Sequence, residues 1–374
     1  MKRKLFYLIG LILITVMFFG CSKTTGESEV NENNLAKDPI ETTLKNMTIT
    51  EKIGQMMTVG IYGYEINDDI LYSLHQYHFG GVILFTRNIE SKEQVTNFVS
   101  DLQNKSDEKV PLFIAIDEEG GRVSRLRQID NEVAPSQEEI GNGGELESAK
   151  IWAVRIAEKL KKIGANVNFA PVADVGSPDT RSFSNNAEVV ADFVNSAASG
   201  YEEQKLIYCL KHFPGIGKRV NDPHQEISSI EVSRQTLDNE DILPFKSVIS
   251  SHSPDNFMIM VSHLKYPAID EKNSATLSYE VMTNLLRKEL AYKGVIITDD
   301  LEMGAVANHN EFTDVGVNAV KAGADILLVC HDYQHEQEVY EGLLEAVKNG
   351  DISEERINES VRRILKLKFK NLID

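Results

Sequence analysis

Cations are in short supply in this sequence: 39 Lys and Arg stand against 57 Asp and Glu, a net charge of −18 at pH 7. So acidic a chain is a poor partner for nucleic acid or for anionic lipid, and no basic patch with interleaved aromatics offsets it. Cysteine is scarce as well. Of the three, Cys209 and Cys330 sit inside apolar runs and read as two inert buried thiols. No Cys/His cluster has zinc spacing, and Walker loops and dinucleotide fingerprints are missing, so neither a metal nor a cofactor is expected. His331 and His335 lie four apart near a helix start, but with no third ligand nearby they read as a solvated helix face.

What is present begins with a leader. Lys2, Arg3 and Lys4 precede an uncharged apolar run from Leu5 to Phe19, which reads as a secretory signal peptide (1–20) and is short for a membrane span. The run stops at Gly20-Cys21-Ser22, which is similar to a bacterial lipobox, although Phe18 is bulkier than the usual Leu. By that resemblance Cys21 becomes the lipidated first residue of the mature chain, anchored to the outer face of the bacterial cell membrane. A plain secretory peptide or an uncleaved anchor is the alternative. Loss of the three leader cations takes the charge to −21 (−18 minus 3). Residues 21–38 hold Cys21 and then a polar stretch, with Val30, Leu35 and Ala36 the apolar exceptions after Cys21, that reads as a flexible tether.

From about residue 39 to 374, short apolar runs alternate with amphipathic stretches. Strands are expected near 56–59, 82–85, 112–116, 166–169, 206–210, 257–261, 295–298 and 326–330. Helical patterns between them include Gln94–Leu102, Ala149–Ile163, Val189–Gln204, Leu237–Ile249, Tyr279–Leu290, Val315–Ala322 and Glu336–Lys348, with Glu354–Leu367 closing the fold. Eight such units suggest an α/β fold, a (β/α)8 TIM barrel in a single domain; a doubly wound sheet uses the same alternation. Polar residues favour the barrel. Arg87, Asp117, Asp174, Lys211, His212, His263, Asp299, His331 and Asp332 all follow strand C-termini, where a barrel gathers its catalytic side chains.

The most concentrated chemistry is Lys211-His212-Phe213-Pro214-Gly215-Ile216-Gly217, running on to Asp222-Pro223-His224. A cation, an imidazole and a Pro/Gly turn leave the end of one expected strand, followed by an Asp-x-His pair on a loop. A carboxylate bonded to one imidazole nitrogen fixes the tautomer and raises the ring's basicity, as proton transfer requires. Taken alone, D-x-H is more often an ordinary surface loop. A second carboxylate, Asp299, ends the run Gly294-Val295-Ile296-Ile297-Thr298, with Asp300 as its competitor.

The pattern K-H-F-P-G-x-G-x4-D-x-H resembles the signature of glycoside hydrolase family 3, in its β-N-acetylglucosaminidase branch. Ordered matches extend the resemblance over roughly residues 40 to 370. They include Met47-Thr48 with Glu51-Lys52-Ile53-Gly54-Gln55-Met56, Gly80 to Phe85 with Arg87-Asn88, and Asp117-Glu118-Glu119-Gly120-Gly121-Arg122-Val123. Further on come Asn168-Phe169-Ala170-Pro171-Val172-Ala173-Asp174-Val175, Arg181-Ser182-Phe183 and Thr298-Asp299-Asp300-Leu301-Glu302-Met303. Two positions depart from the pattern: Ile216 stands where family members usually have His, and Pro223 where they have Ser or Thr.

The resemblance implies a retaining exo-β-N-acetylglucosaminidase acting on terminal GlcNAc of peptidoglycan fragments or related glycoconjugates. Asp299 would be the nucleophile, His224 the acid/base and Asp222 its orienter. Asp117, Arg125, Arg181, Lys211 and His212 would hold the sugar hydroxyls, and Asp300 would start the following helix. Glu118-Glu119-Gly120-Gly121 would form a tight turn. The expected partner is a GlcNAc-containing saccharide, bound by a monomer that meets the membrane through its lipid alone. Three readings stay open beside it. A β-glucosidase of the family usually takes a Glu acid/base from a further domain, for which no second domain is visible here. A phosphorylase would exploit a His acid/base that does not repel phosphate. A non-catalytic sugar-binding lipoprotein is the third.

Overall fold

The computed structural model describes residues 38–106, 110–177, 179–218, 228–303 and 311–373. The leader, Cys21, Asp222, Pro223 and His224 lie outside them. Eight parallel strands close on one another: β1 Met57–Gly60, β2 Gly81–Leu84, β3 Phe113–Ile116, β4 Val167–Asn168, β5 Ile207–Phe213, β6 Phe257–Val261, β7 Val295–Asp300 and β8 Ile326–Val329. Each pairs with the strands before and after it, and β8 returns to β1 with Met57 opposite Leu327. The (β/α)8 barrel is the observed fold, and all eight strands fall where the apolar runs lie. Their residues are buried almost without exception, which is why they read as continuous hydrophobic runs instead of alternating ones.

Helices pack outside the strands. The main ones between strands are α1 Asp68–Tyr77, α2 Lys92–Lys105, α3 Leu146–Lys162, α4 Ala187–Glu203, α5 Leu243–Ser251, the π-wound α6 Glu280–Glu289, α7 Phe312–Ala322 and, after β8, α8 Tyr333–Lys348. Several starts carry the expected polar cap: Ser91 accepts from the Gln94 N–H, and Asn186 from those of Glu188 and Val189. At the N-terminal end of the barrel, buried Asp325 gathers Arg287 and Arg363, the latter from the C-terminal helix Glu354–Leu372 at 2.9 Å. Lys368 of that helix is fully buried and donates to Gln55 Oε1 and to the Gly80 carbonyl, both at 2.8 Å. That end is built for stability; the functional groups are at the other.

Two strands run further than their apolar stretches. β5 continues through Lys211 and His212 to Phe213, which pairs with Val261, and β7 continues through Asp299 to Asp300, which pairs with Leu328. Lys211 and His212 are therefore strand residues, set where the pairing shifts register between Leu210 and Phe213, and do not leave the strand as the sequence suggested. Asp300 likewise ends β7 and starts no helix among the described residues; its Oδ1 accepts the Glu302 N–H at 3.1 Å. Two short antiparallel hairpins were not foreseen: Glu118–Gly120 with Val123–Ser124, and Lys265–Tyr266 with Asp270–Ser274.

Candidate active site

At the C-terminal mouth of the barrel lies a cavity of about 390 Å3. Its polar lining includes Asp117, Glu119, Arg125, Arg181, Lys211, His212 and Asp299, delivered by the ends of β3, β5 and β7 and the loops after β3 and β4. All five residues expected to hold the sugar are brought together there, with the expected nucleophile beside them.

Lys211 is the hub. Its ammonium lies 2.7 Å from Asp117 Oδ1 and 2.7 Å from Glu119 Oε1, and its side chain is almost wholly buried. Asp117 also accepts from Arg125 Nη2 at 3.1 Å. Glu119 is gripped by Arg181 through two bonds of 2.8 Å, the fork geometry of a guanidinium on a carboxylate. Burial alone would raise both carboxyls, but Lys211 and Arg125 hold Asp117 below its usual range, and Lys211 and Arg181 do the same for Glu119. For Lys211 burial acts downward and the two carboxylates outweigh it, so its pKa stands above normal. Three cations and two anions thus stay charged in a desolvated cluster, which suits a ligand rich in hydroxyls that can donate and accept by turns.

His212 is oriented by Asp174, itself buried. Asp174 Oδ2 accepts from ring Nδ1 at 2.8 Å, and Oδ1 accepts the main-chain N–H groups of His212 at 3.1 Å and Ile216 at 2.9 Å. That arrangement leaves Nε2 toward the cavity, 3.5 Å from Arg181 Nη2. The glycines of the motif have a steric role: Gly215 has φ +132°, and a Cβ on Gly217 would meet the Val175 carbonyl at 1.8 Å. Ile216, the departure from the family pattern, is buried and presents apolar atoms to the cavity.

Asp299 is partly exposed on the cavity wall, and its Oδ1 accepts the Asp300 N–H at 2.9 Å. Asp300 turns instead to His331, whose Nε2 lies 3.1 Å from Asp300 Oδ2; that bond raises the His331 pKa. His335 pairs with Glu302 at 2.7 Å and stacks on Phe312 at 3.8 Å. The two histidines are therefore not a bare solvated helix face: His331, half exposed and ahead of α8, pairs with Asp300 at the end of β7, and His335 pairs with Glu302 just past it. Among the described residues no group of three His, Cys, Asp or Glu could hold a metal ion. Cys209 and Cys330 are buried free thiols, and burial pushes both pKa values up.

Glu119 and Asp174, which hold Arg181 and His212 in place, were not given that part by sequence reasoning. The first was assigned to a tight turn, but it lies in the hairpin strand Glu118–Gly120, and the turn falls one step later at Gly121-Arg122, with Gly120 at φ +92° and Gly121 at φ +54°. Its partner Arg181 lies 62 residues away, and no local spacing announces that pair. Asp174 was marked by its strand-end position alone.

A closed (β/α)8 barrel with a charged, hydroxyl-matching cavity and a carboxylate at its C-terminal mouth has the architecture of a barrel enzyme for a polar small molecule. The family description "Glycosyl hydrolase family 3 N terminal domain" matches residues 48–367. A β-hexosaminidase A of Pseudoalteromonas piscicida is 34% identical over 327 residues, 79% of this chain and 54% of the relative. A β-hexosaminidase of Nitrosomonas eutropha is 33% identical, covering 68% of this chain and 74% of the relative. In structure, a family 3 β-N-acetylglucosaminidase of Paenibacillus sp. FPU-7 superposes with a TM-score of 0.84 at 38% identity, over 88% of this chain and 63% of that one. The chain belongs to glycosyl hydrolase family 3. It spans about half the length of the Pseudoalteromonas relative and just under two thirds of the Paenibacillus chain.

Proposed function

We propose that this chain is a retaining exo-β-N-acetylglucosaminidase that removes terminal β-linked GlcNAc from peptidoglycan fragments or related glycoconjugates. The observation that carries the reading is the Asp117–Lys211–Glu119 cluster closing one end of a small cavity with Asp299 on its wall. The β-hexosaminidase names of the relatives support the choice of sugar. Asp299 attacks the anomeric carbon while His224, oriented by Asp222, gives its proton to the leaving oxygen. Water, deprotonated by His224, then displaces Asp299 and restores the β configuration. Asp117, Arg125, Arg181, Lys211 and His212 hold the hydroxyls. An imidazole in the acid/base role, protonated before the first transfer and neutral after it, puts no second negative charge against Asp299.

In the same reading, residues 1–20 are removed, Cys21 carries lipid, 21–38 is a tether, and the monomeric barrel works at the outer face of the membrane. Turnover of a chromogenic β-GlcNAc glycoside, with and without phosphate, tests the activity. Hydrolysis independent of phosphate is expected; release of GlcNAc 1-phosphate would make the chain a phosphorylase, and no turnover a binding protein.

A further inference from the structure

One wall of the cavity is aromatic. Phe85, just past β2, and His331, just past β8, both line it, with ring centroids 5.5 Å apart and planes inclined by 35°. Next to them, on the loop after β1, Tyr62 is 46% exposed. A tyrosine so exposed ordinarily swings freely, but this one is held on several sides. Its hydroxyl donates to the His331 carbonyl at 2.8 Å, and its main-chain N–H donates to the Tyr333 hydroxyl at 3.2 Å. Its ring meets that of Tyr333 edge-on at 6.0 Å. The Arg87 guanidinium packs against both Tyr62 and Phe85, with Cζ 4.5 Å and 4.4 Å from their ring centroids. Arg87 also donates to the Ile61 carbonyl at 3.1 Å and the Cys330 carbonyl at 2.6 Å. The cation is thus a strut between the ends of β1, β2 and β8, and it fixes the rings around it.

A wet aromatic surface whose rotamer is already set loses little entropy when a ligand covers it. We propose that Tyr62, His331 and Phe85 form a platform for the second pyranose of the substrate, the one released on bond cleavage. The inference rests on the glycosidase reading above. A cavity of about 390 Å3 is near the small end of ligand pockets, and its charged cluster claims the terminal sugar. The next sugar must lie at the mouth, where the aromatic wall stands. A pyranose offers a face of C–H groups to an aromatic ring and keeps its hydroxyls at the edge, in water.

The test compares kcat/KM for N,N′-diacetylchitobiose with that for the β-fluoride of GlcNAc, whose leaving group is too small to reach the wall. In Tyr62→Ala the ratio of the two falls about tenfold, the effect of losing one aromatic packing partner. Tyr62→Phe, which keeps the ring, lowers it far less. An unchanged ratio in Tyr62→Ala overturns the platform, as does a wild type that cleaves the fluoride alone. If Tyr62→Ala fails to fold by circular dichroism, His331→Ala is read in the same way, with the same two outcomes. A wild type that cleaves neither substrate sinks the glycosidase reading itself, and the platform with it.

Discussion

Asp174 grips His212 at two points: one carboxylate oxygen accepts the ring Nδ1 at 2.8 Å and the other accepts the main-chain N–H at 3.1 Å. An imidazole tied in this way has one tautomer and one orientation, with Nε2 left for substrate.

Asp174→Asn tests that arrangement. An amide has one oxygen where three N–H groups now find two, so a buried donor is left facing an NH2 group. The expected cost is about 1–3 kcal/mol of stability together with a raised KM on GlcNAc glycosides. Thermal melting and steady-state kinetics read both, and an unchanged KM would show that the orientation of His212 does not matter for binding.

Glu336, in the first turn of α8, is buried, and neither carboxylate oxygen has a hydrogen-bond partner among the described residues. Burial pushes its pKa up to about 9. Its folded-state pKa is therefore above that of the unfolded chain, about 4.3. Between those values the folded chain binds the extra proton, so stability falls as pH rises from about 4.3 to 9. Glu336→Gln, neutral at every pH, should melt higher than wild type at pH 8.5, by on the order of 1–3 kcal/mol, and the gap should shrink at pH 5. Equal gaps at the two pH values would mean that Glu336 is not buried as the acid.

Legibility in the sequence followed the physics of burial. All eight strands could be read because a barrel strand with both faces covered must be apolar throughout. The ends of β5 and β7 could not, because Lys211, His212 and Asp299 interrupt the apolar run, and the pairing shifts register there before it resumes at Phe213 and Asp300. The residues of the cavity were legible as a resemblance, but their pairing was not: Glu119 with Arg181 and Asp174 with His212 join residues 62 and 38 apart. His331 and His335 were misjudged for the same reason, since Asp300 and Glu302 come from the neighbouring strand end.

His224→Ala should lose about 10²–10⁴ in rate on GlcNAc conjugates with poor leaving groups and much less on activated aryl glycosides. Asp222→Asn should be impaired in the same pattern, because an amide does not stabilise the imidazolium. A plot of rate against leaving-group pKa separates proton donation from binding. Equal losses on every leaving group would assign His224 to binding.

Cys21→Ala should leave the protein as unprocessed precursor or release it from membranes, read by fractionation and intact mass. Wild-type protein found free in the medium with an unmodified N-terminus would contradict the lipid anchor.

The central claim is that Asp299, and not its neighbour Asp300, becomes covalently bonded to the sugar. Both line the cavity, but Asp300 is buried against His331 and the Glu302 N–H, while Asp299 is the more exposed of the two. Trapping the enzyme with a fluorinated GlcNAc analogue, followed by peptide mapping, is the most direct measurement. The account predicts one sugar per chain on Asp299 and none in Asp299→Asn. A label on Asp300, or product released with inverted anomeric configuration, would contradict it.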